Sequence, residues 1–321
     1  MDNESIRVAV LGAGAVGCYY GGMLARAGHP VTLIGRKVHV DAFTTTGLRF
    51  EALKFDERVA VAASTKAAAV RGAKLVLFCV KSTDTDAAAA QIAPFLEPDA
   101  IVVNLQNGVD NTERIQKVLQ AAQVPCPVVP AVVYVATEMA GPGHLKHHGR
   151  GDLVIGSMDA VATLDILQRV QRLFGSAGVP VTISGDVAAE LWGKLVVNCA
   201  YNALSAITQL PYGKLIEGPG IREVMRDVVE ETLAIARSGG IHLAPDTLAK
   251  TYKIAEAMPT QFSSTAQDLA RGKTTEIDHL NGYVARRGEA LGIPTPANRA
   301  LHALVKLLES KPRGPGQSAG R

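Results

Sequence analysis

A strand-like run, IRVAV, leads directly into LGAGAVG and then into the helical pattern AVGCYYGGMLARAG. Gly12, Gly14 and Gly17 therefore stand as G-x-G-x-x-G between a strand and the helix it opens. In that setting Gly12 permits the turn, Gly14 lets a pyrophosphate reach the backbone, and Gly17 lets helix and strand pack closely. Ala13, Ala15 and Val16 complete the loop. The helix N-terminus adds amide donors and the positive end of a dipole. Away from a strand and a helix, the same glycines would be only a tight turn.

The pattern around the motif carries it further. HPVTLIGR, AKLVLFCVKS, the helical TDTDAAAAQIAPFL and AIVVNLQNG continue the alternation of short β-rich runs with alanine-rich helices. Such alternation implies an α/β unit, a parallel sheet with helices on its faces. PVVPAVVYVATEMAGPGHLKHHGRGDLVIGS is strand-rich with Gly and Pro turns, as expected if the sheet continues antiparallel, and VPVTIS at 179–184 reads as its last strand. From Asp186 the texture changes to long helical patterns. The expected division is a dinucleotide-binding domain over 1–185, a helical domain over 186–310 and a flexible Gly- and Pro-rich tail over 311–321. A length of 321 residues fits two domains at about 150 residues each.

Charge narrows the partners. The 33 basic residues exceed the 30 acidic ones by three, the number supplied by Lys311, Arg313 and Arg321 of the tail. The body is neutral, without the surplus that nucleic-acid binding favours. No signal-type segment and no apolar run of about 18 residues is present, so a soluble, cytoplasmic protein off the membrane is expected. Cys18, Cys79, Cys126 and Cys199 are scattered, as reduced thiols packed like small hydrophobes would be. His144, His147 and His148 come without a carboxylate or cysteine cluster, and no metal is expected.

The second strand, VTLIGR, ends about 20 residues after the glycines, where NAD-specific sites place an acid on the ribose hydroxyls. Here Gly35, Arg36 and Lys37 follow instead. A guanidinium pairs with a 2′-phosphate that an acid would repel, so the expected cofactor is NADP(H), unless Arg36 is simply a solvated cation. Lys81 follows LVLFCV and Asn107 follows VVNLQ, both at carboxyl ends of sheet strands, the edge at which such sheets bind ligands.

In LWGKLVVNCAYNALSAI, residues 191–207, Lys194, Asn198 and Asn202 recur every four residues and share one face of an otherwise apolar helix. Asparagine is a poor choice inside a helix because its side chain competes for the backbone. The pair either binds a ligand or makes hydrogen bonds between helices, and Lys194 either meets a substrate or snorkels to water. Trp192 reads as a packing residue at a domain interface.

GAGAVG, FCVKS, LQNG, WGKLVVNCAYN and SSTAQDLARGKTTEIDHLNG together resemble the ketopantoate reductases, over residues 6 to about 308. The resemblance implies an N-terminal Rossmann-type domain, an all-helical C-terminal domain with the active site between them, and reduction of ketopantoate to pantoate on the way to coenzyme A. It implies that Lys194 is the catalytic lysine and Glu276 its acidic partner, a choice that spacing alone leaves open against Asp278. By the same resemblance Asn107 orients cofactor and substrate, Lys81 lies in the cofactor cleft, Asn198 and Asn202 bind substrate, and the Ser264 hydroxyl meets the substrate carboxylate. One position departs. Enteric-type members carry a further substrate-binding asparagine where this chain has Tyr212, so Tyr212 is expected at the substrate, with the choice of 2-oxo acid depending on it.

Hydride reaching a carbonyl carbon leaves negative charge on oxygen, and a positioned ammonium can stabilise or protonate it. A neighbouring carboxylate would keep that lysine cationic against desolvation. Two other readings share the sequence: the same chemistry on another 2-oxo acid, and a non-catalytic NADP-binding sensor. The oligomeric state is not fixed by the residues; a homodimer is compatible with them.

Overall fold

The structure is a computed structural model and describes residues 5–159 and 161–311. It contains two compact units, the first ending at Glu190 and the second beginning at Leu191. The tail expected after Ser310 lies, but for Lys311, outside the described residues.

The first unit runs β1 (Val8–Leu11), α1 (Ala15–Arg26), β2 (Val31–Ile34), α2 (Lys37–Thr46), β3 (Leu48–Ala52), β4 (Phe55–Val59), β5 (Ala62–Ser64), β6 (Leu75–Phe78), α3 (Thr85–Ile92), β7 (Ile101–Asn104), α4 (Asn111–Ala121), β8 (Val128–Gly141), β9 (His144–Ile155), α5 (Leu164–Ser176) and β10 (Val181–Ile183). Strands β5, β2, β1, β6, β7 and the start of β8 lie side by side and parallel. Helices cover both faces of such a sheet, so its strands are apolar throughout rather than alternating. In β1, Val8 and Val10 enter one core with Tyr20, Leu24 and Phe174, while Ala9 and Leu11 enter another with Phe78, Ile92 and Ile115. This is the α/β, Rossmann-type arrangement. The strand order turns back between β1 and β6, which opens a crevice at their carboxyl ends.

Past Pro130, β8 leaves β7 and pairs antiparallel with β9. The segment read as the last strand forms β10 but pairs parallel with β9, because α5 carries the chain back before it enters the sheet. Three strands escaped the sequence reading. β3 and β4 form a hairpin joined to β9, and β5 lies at the opposite edge beside β2. They are short, and the middle of β4 is an exposed run of charges, so neither apolar continuity nor alternation marks them. TDTDAAAAQIAPFL is also not one helix. A 3₁₀ turn at Ser82–Asp84 precedes α3, and a second at Ala93–Phe95 follows it, where Pro94 has no amide hydrogen to continue the ladder.

Every regular element described from Leu191 onward is helical: the body of α6 (Val187–Thr208), then α7 (Tyr212–Ile216), α8 (Ile221–Ser238), α9 (Thr247–Ala257), α10 (Ser264–Ala270), a 3₁₀ turn at Ile277–His279, α11 (Asn281–Leu291) and α12 (Pro296–Ser310). One polar chain joins four of these helices. The Glu231 carboxylate on α8 accepts from the amides of Ala297 and Asn298 (2.8 and 2.9 Å), capping α12, and from Asn298 Nδ2 at 2.8 Å. Asn298 Oδ1 accepts from Asn281 Nδ2 of α11 (3.0 Å), which also donates to the Cys199 carbonyl of α6 (3.0 Å). A carboxylate accepting several amides at a helix N-terminus is a strong cap. Glu231→Ala should therefore cost about 1.5–3 kcal/mol, read as a lowered urea midpoint; an unchanged midpoint would mean that water replaces the cap.

Candidate active site

Between β1 and α1 the chain passes so close to β6 that no side chain fits at residue 12. Gly12 has φ +105°, and a Cβ there would lie 2.6 Å from the Cys79 carbonyl carbon and the Val80 nitrogen. Its amide and that of Ala13 both donate to Ile34 O of β2, at 2.9 and 3.0 Å. A Cβ on Gly17 would overlap the Gly12 carbonyl oxygen and stand 2.8 Å from Val10 Cγ1. Gly14 differs: it caps α1, it has an ordinary φ of −88°, and a Cβ there would meet nothing within 4 Å. Two of the three glycines are thus demanded by the fold, and the third faces open space.

That space suits a pyrophosphate. The first amides of α1, among them those of Ala15 and Val16, lack intrahelical acceptors, no side chain caps them, and the first turn holds no acid. Arg36 stands two residues beyond the carbonyl that holds the glycine loop. It is the exposed N-cap of α2, and no carboxylate pairs with it among the described residues. Gly35 beside it touches the loop, since a Cβ there would meet Ala13 Cβ at 2.7 Å. A cationic residue next to an amide cradle is the donor set that a dinucleotide with an added phosphate requires.

Lys81 and Asn107 are half-buried at the carboxyl ends of β6 and β7, and buried polar side chains that the sequence reading missed stitch their loops together. Ser82 Oγ donates to the Asn107 carbonyl (3.1 Å), and Asn111 Nδ2 donates both to that carbonyl (2.6 Å) and to Ser82 Oγ (3.0 Å). Gln106 Nε2 donates to Val80 O (2.9 Å) and Thr85 Oγ1 (2.8 Å). Arg114 closes the outer side, bonding Ser82 O and pairing with Asp86. The signal available in the sequence was a set of polar residues directly after fully apolar strands, where their hydrogen bonds must be made inside the protein.

In the second unit α6 carries the lysine stripe. Lys194 and Asn198 are half-buried, whereas Asn202 is only 2% exposed and makes a long hydrogen bond (3.4 Å) to Ser264 Oγ at the start of α10. Ser263 caps α10 and donates to the Asn202 carbonyl (3.1 Å), so the loop before Ser264 is tied to α6 from both sides of the chain. Tyr212 opens α7 with its ring 4.4 Å from that of Tyr201, the neighbour of Asn202. Burial pushes its phenol well above the ordinary range, so it is a neutral group. The Tyr212 amide donates to Gln261 O (2.9 Å), in the stretch leading to Ser264. Glu276, half-buried, immediately precedes the 3₁₀ turn that enters α11, and Asn281 ties α11 to α6 at Cys199, next to Asn198.

His144 meets Glu51, His147 the Arg150 carbonyl and His148 Glu138, three separate partners on the β-ribbon. Among the described residues no group of three or more His, Cys, Asp or Glu is gathered as a metal site. All four cysteines are unpaired as disulfides, and burial raises every thiol, Cys126 to about 11 and the others further. Trp192 packs edge-on to Tyr283 of α11 with ring centres 6.0 Å apart. No helix among the described residues is long and apolar enough to cross a membrane.

Residues 8–160 match the family described as Ketopantoate reductase PanE/ApbA, and residues 186–309 match its C-terminal part. The chain belongs to the ketopantoate reductase family. It is 32% identical to the 2-dehydropantoate 2-reductase of Archaeoglobus fulgidus over 305 residues, covering 95% of this chain and 98% of that one. It is also 32% identical to the Vibrio cholerae protein of that name over 307 residues, with the same coverage. A crystal structure of a PanE/ApbA family ketopantoate reductase from Ralstonia eutropha JMP134 is 58% identical, with a TM-score of 0.89 over 95% of this chain and 98% of that one. D-mandelate dehydrogenase, solved with NADH and anilino(oxo)acetate, shares the fold at a TM-score of 0.88 and 23% identity, over 95% of this chain and 98% of that one. As a ketopantoate reductase family member the chain is an oxidoreductase with a Rossmann-type nucleotide-binding unit.

The glycine geometry separates binding from folding. Gly14→Ala should leave the thermal midpoint unchanged yet raise the dinucleotide Kd by about tenfold or more, the loss expected when an amide–phosphate contact is blocked. Gly17→Ala should instead destabilise the protein by about 1–3 kcal/mol through overpacking. Calorimetric melting with dinucleotide titration checks both; a Gly14→Ala protein that binds like the parent would remove residue 14 from the cradle.

Proposed function

We propose that this enzyme reduces ketopantoate to (R)-pantoate with NADPH, in the cytoplasm, as a step toward pantothenate and coenzyme A. The observation that carries the reading is the polar stripe Lys194, Asn198 and Asn202 on an otherwise apolar α6, with Ser264 against Asn202. Relatives named 2-dehydropantoate 2-reductase over nearly the whole chain support the substrate. On this reading the first unit is the NADP-binding domain and the helical unit the substrate and catalytic domain.

Bound NADPH supplies the hydride. The chain's own work is to hold the cofactor and to manage charge and a proton at the substrate carbonyl oxygen. Arg36 meets the 2′-phosphate, the amides of the 12–17 loop meet the pyrophosphate, and Lys81 and Asn107 orient the remainder from their stitched loops. The Lys194 ammonium stabilises the developing oxyanion and donates the proton that completes the alcohol. Glu276 keeps that lysine cationic and properly aimed. Asn198, Asn202 and Ser264 hold the acid through its carboxylate and oxygen substituents.

A second reading keeps this chemistry but changes the acid, and Tyr212 is what favours it. A buried aromatic packed on Tyr201, the neighbour of Asn202, stands where the resemblance places an asparagine in enteric members, and a ring in place of an amide would admit acids of different bulk. NADPH-oxidation kinetics across a panel of 2-oxo acids separates the two readings; ketopantoate should have the highest kcat/KM, and a different leader would establish the second.

Lys194→Ala should lower kcat by about 100- to 10,000-fold with NADPH binding retained; near-normal turnover in the folded variant would make Lys194 a snorkelling residue. Arg36→Ala should weaken NADPH far more than NADH in steady-state kinetics, whereas equal losses would take the 2′-phosphate away from Arg36.

A further inference from the structure

Glu276 lies in a stretch that has almost no regular structure of its own. The single 3₁₀ turn after it is closed by His279 N donating to Glu276 O (2.8 Å), and one such turn is too short to hold a side chain in place. The stretch is held from α11, where Arg286 Nη2 donates to Asp278 O at 2.7 Å, and from α12. Two residues after Glu276, Asp278 Oδ1 accepts from His302 Nε2 at 2.6 Å and Oδ2 from Lys306 Nζ at 2.9 Å. One residue before it, the Thr275 amide donates to Glu309 Oε1 at 2.7 Å. Lys306 also pairs with Glu309 Oε2 at 2.8 Å, so the two grips share a cation.

His302, Lys306 and Glu309 recur at i, i+4 and i+7, along one face of α12. The helix is itself secured, because Glu231 caps its N-terminus and Asn298 accepts from Asn281 of α11, which in turn bonds α6. Thr275 and Ile277, the immediate neighbours of Glu276, are fully buried, so the backbone on either side of it is anchored while Glu276 stays half-exposed. Space is also reserved for the imidazole: a Cβ on Gly282 of α11 would lie 2.8 Å from His302 Nε2 and Cδ2. Burial alone would raise the Asp278 carboxyl, but the hydrogen bonds from His302 and Lys306 outweigh it and hold the group below the usual carboxylate range. It is therefore a persistent anion between two donors.

We propose that His302, acting through Asp278, is a positioning residue for Glu276, and that the α12 face of His302, Lys306 and Glu309 forms a clamp that sets the aim of the Glu276 carboxylate. The inference rests on the reading that Glu276 supports Lys194. Asp278 thus has a separate task from Glu276 although the two are only two residues apart. The clamp never touches substrate; its effect is confined to where Glu276 points.

The test compares kcat and KM of His302→Ala and His302→Gln, each with Glu276 intact and in a Glu276→Ala background. Displacing a catalytic group by about an ångström can lower turnover as much as 100-fold, so His302→Ala should lower kcat by about 10- to 100-fold with KM for NADPH unchanged. His302→Gln retains a donor toward Asp278 and should recover most of the loss. Once Glu276 is gone, adding His302→Ala should change kcat little, because a residue acting through another has nothing left to act on. The same fold-loss in both backgrounds, or near-parental kcat in folded His302→Ala, overturns the clamp while leaving Glu276 in its role. Parental turnover in Glu276→Ala overturns the catalytic reading and the clamp together. Asp278→Asn carries the same comparison should His302→Ala fail to fold.

Discussion

The meeting of β1, α1 and β6 at residue 12 is the constraint on which the first unit depends. The strand ends, the loop turns at positive φ, and the backbone after β6 fills the volume a side chain would need. Ile34 O then fixes the loop from the other side by accepting two successive amides. A loop held this way cannot relax away from β6, so the α1 amides remain aimed into the crevice where the strand order turns back. The same rigidity places Arg36, since Gly35 touches Ala13. The amides of the loop and the backbone of Arg36 are thus positioned by backbone packing alone.

Polar groups at the carboxyl edge show a related economy. β6 and β7 are buried on both faces, so the loops after them must satisfy their hydrogen bonds without water. Ser82, Thr85, Gln106 and Asn111 do this by bonding to one another and to the carbonyls of Val80 and Asn107. The result couples two loops that are distant in sequence. Lys81 and Asn107 are thereby presented as one unit, which single-residue comparisons of either would miss.

How much of this was legible follows from range. The parallel strands were readable because burial on both faces writes a continuous apolar run, and the glycine motif because strand, turn and helix are contiguous. The stripe Lys194, Asn198 and Asn202 was readable because helical periodicity is local. β3 to β5 were not, since a short hairpin with exposed charges owes its existence to β9, far along the chain. Ser82 meets Asn107 and Asn111 across 25 and 29 residues of sequence, and no local pattern encodes those pairings. Glu276 and Asp278 look equivalent as a spacing of two. The three-dimensional partners of Asp278, His302 and Lys306, give it an occupation that spacing alone could not assign.

Tyr212 illustrates how one residue can set the placement of others through packing. Its ring lies against Tyr201, whose hydroxyl donates to Thr251 O (3.0 Å), so the aromatic pair is anchored to α9. Its amide holds Gln261 O, and the Gly213 amide holds Pro259 O at 2.9 Å, where any Cβ on residue 213 would collide with Pro259. The start of α7 therefore templates the 259–263 segment, and that segment ends at the serines that bond to Asn202. The Tyr212 ring on Tyr201 and the Tyr212 amide on Gln261 O thus tie the start of α7 both to the neighbour of Asn202 and to the loop that leads to Ser264. On the proposed reading Asn202 and Ser264 both hold the acid. A change of substrate preference would then need no new polar contact from the phenol, because a shift in where Ser264 stands relative to Asn202 discriminates between acids of different bulk.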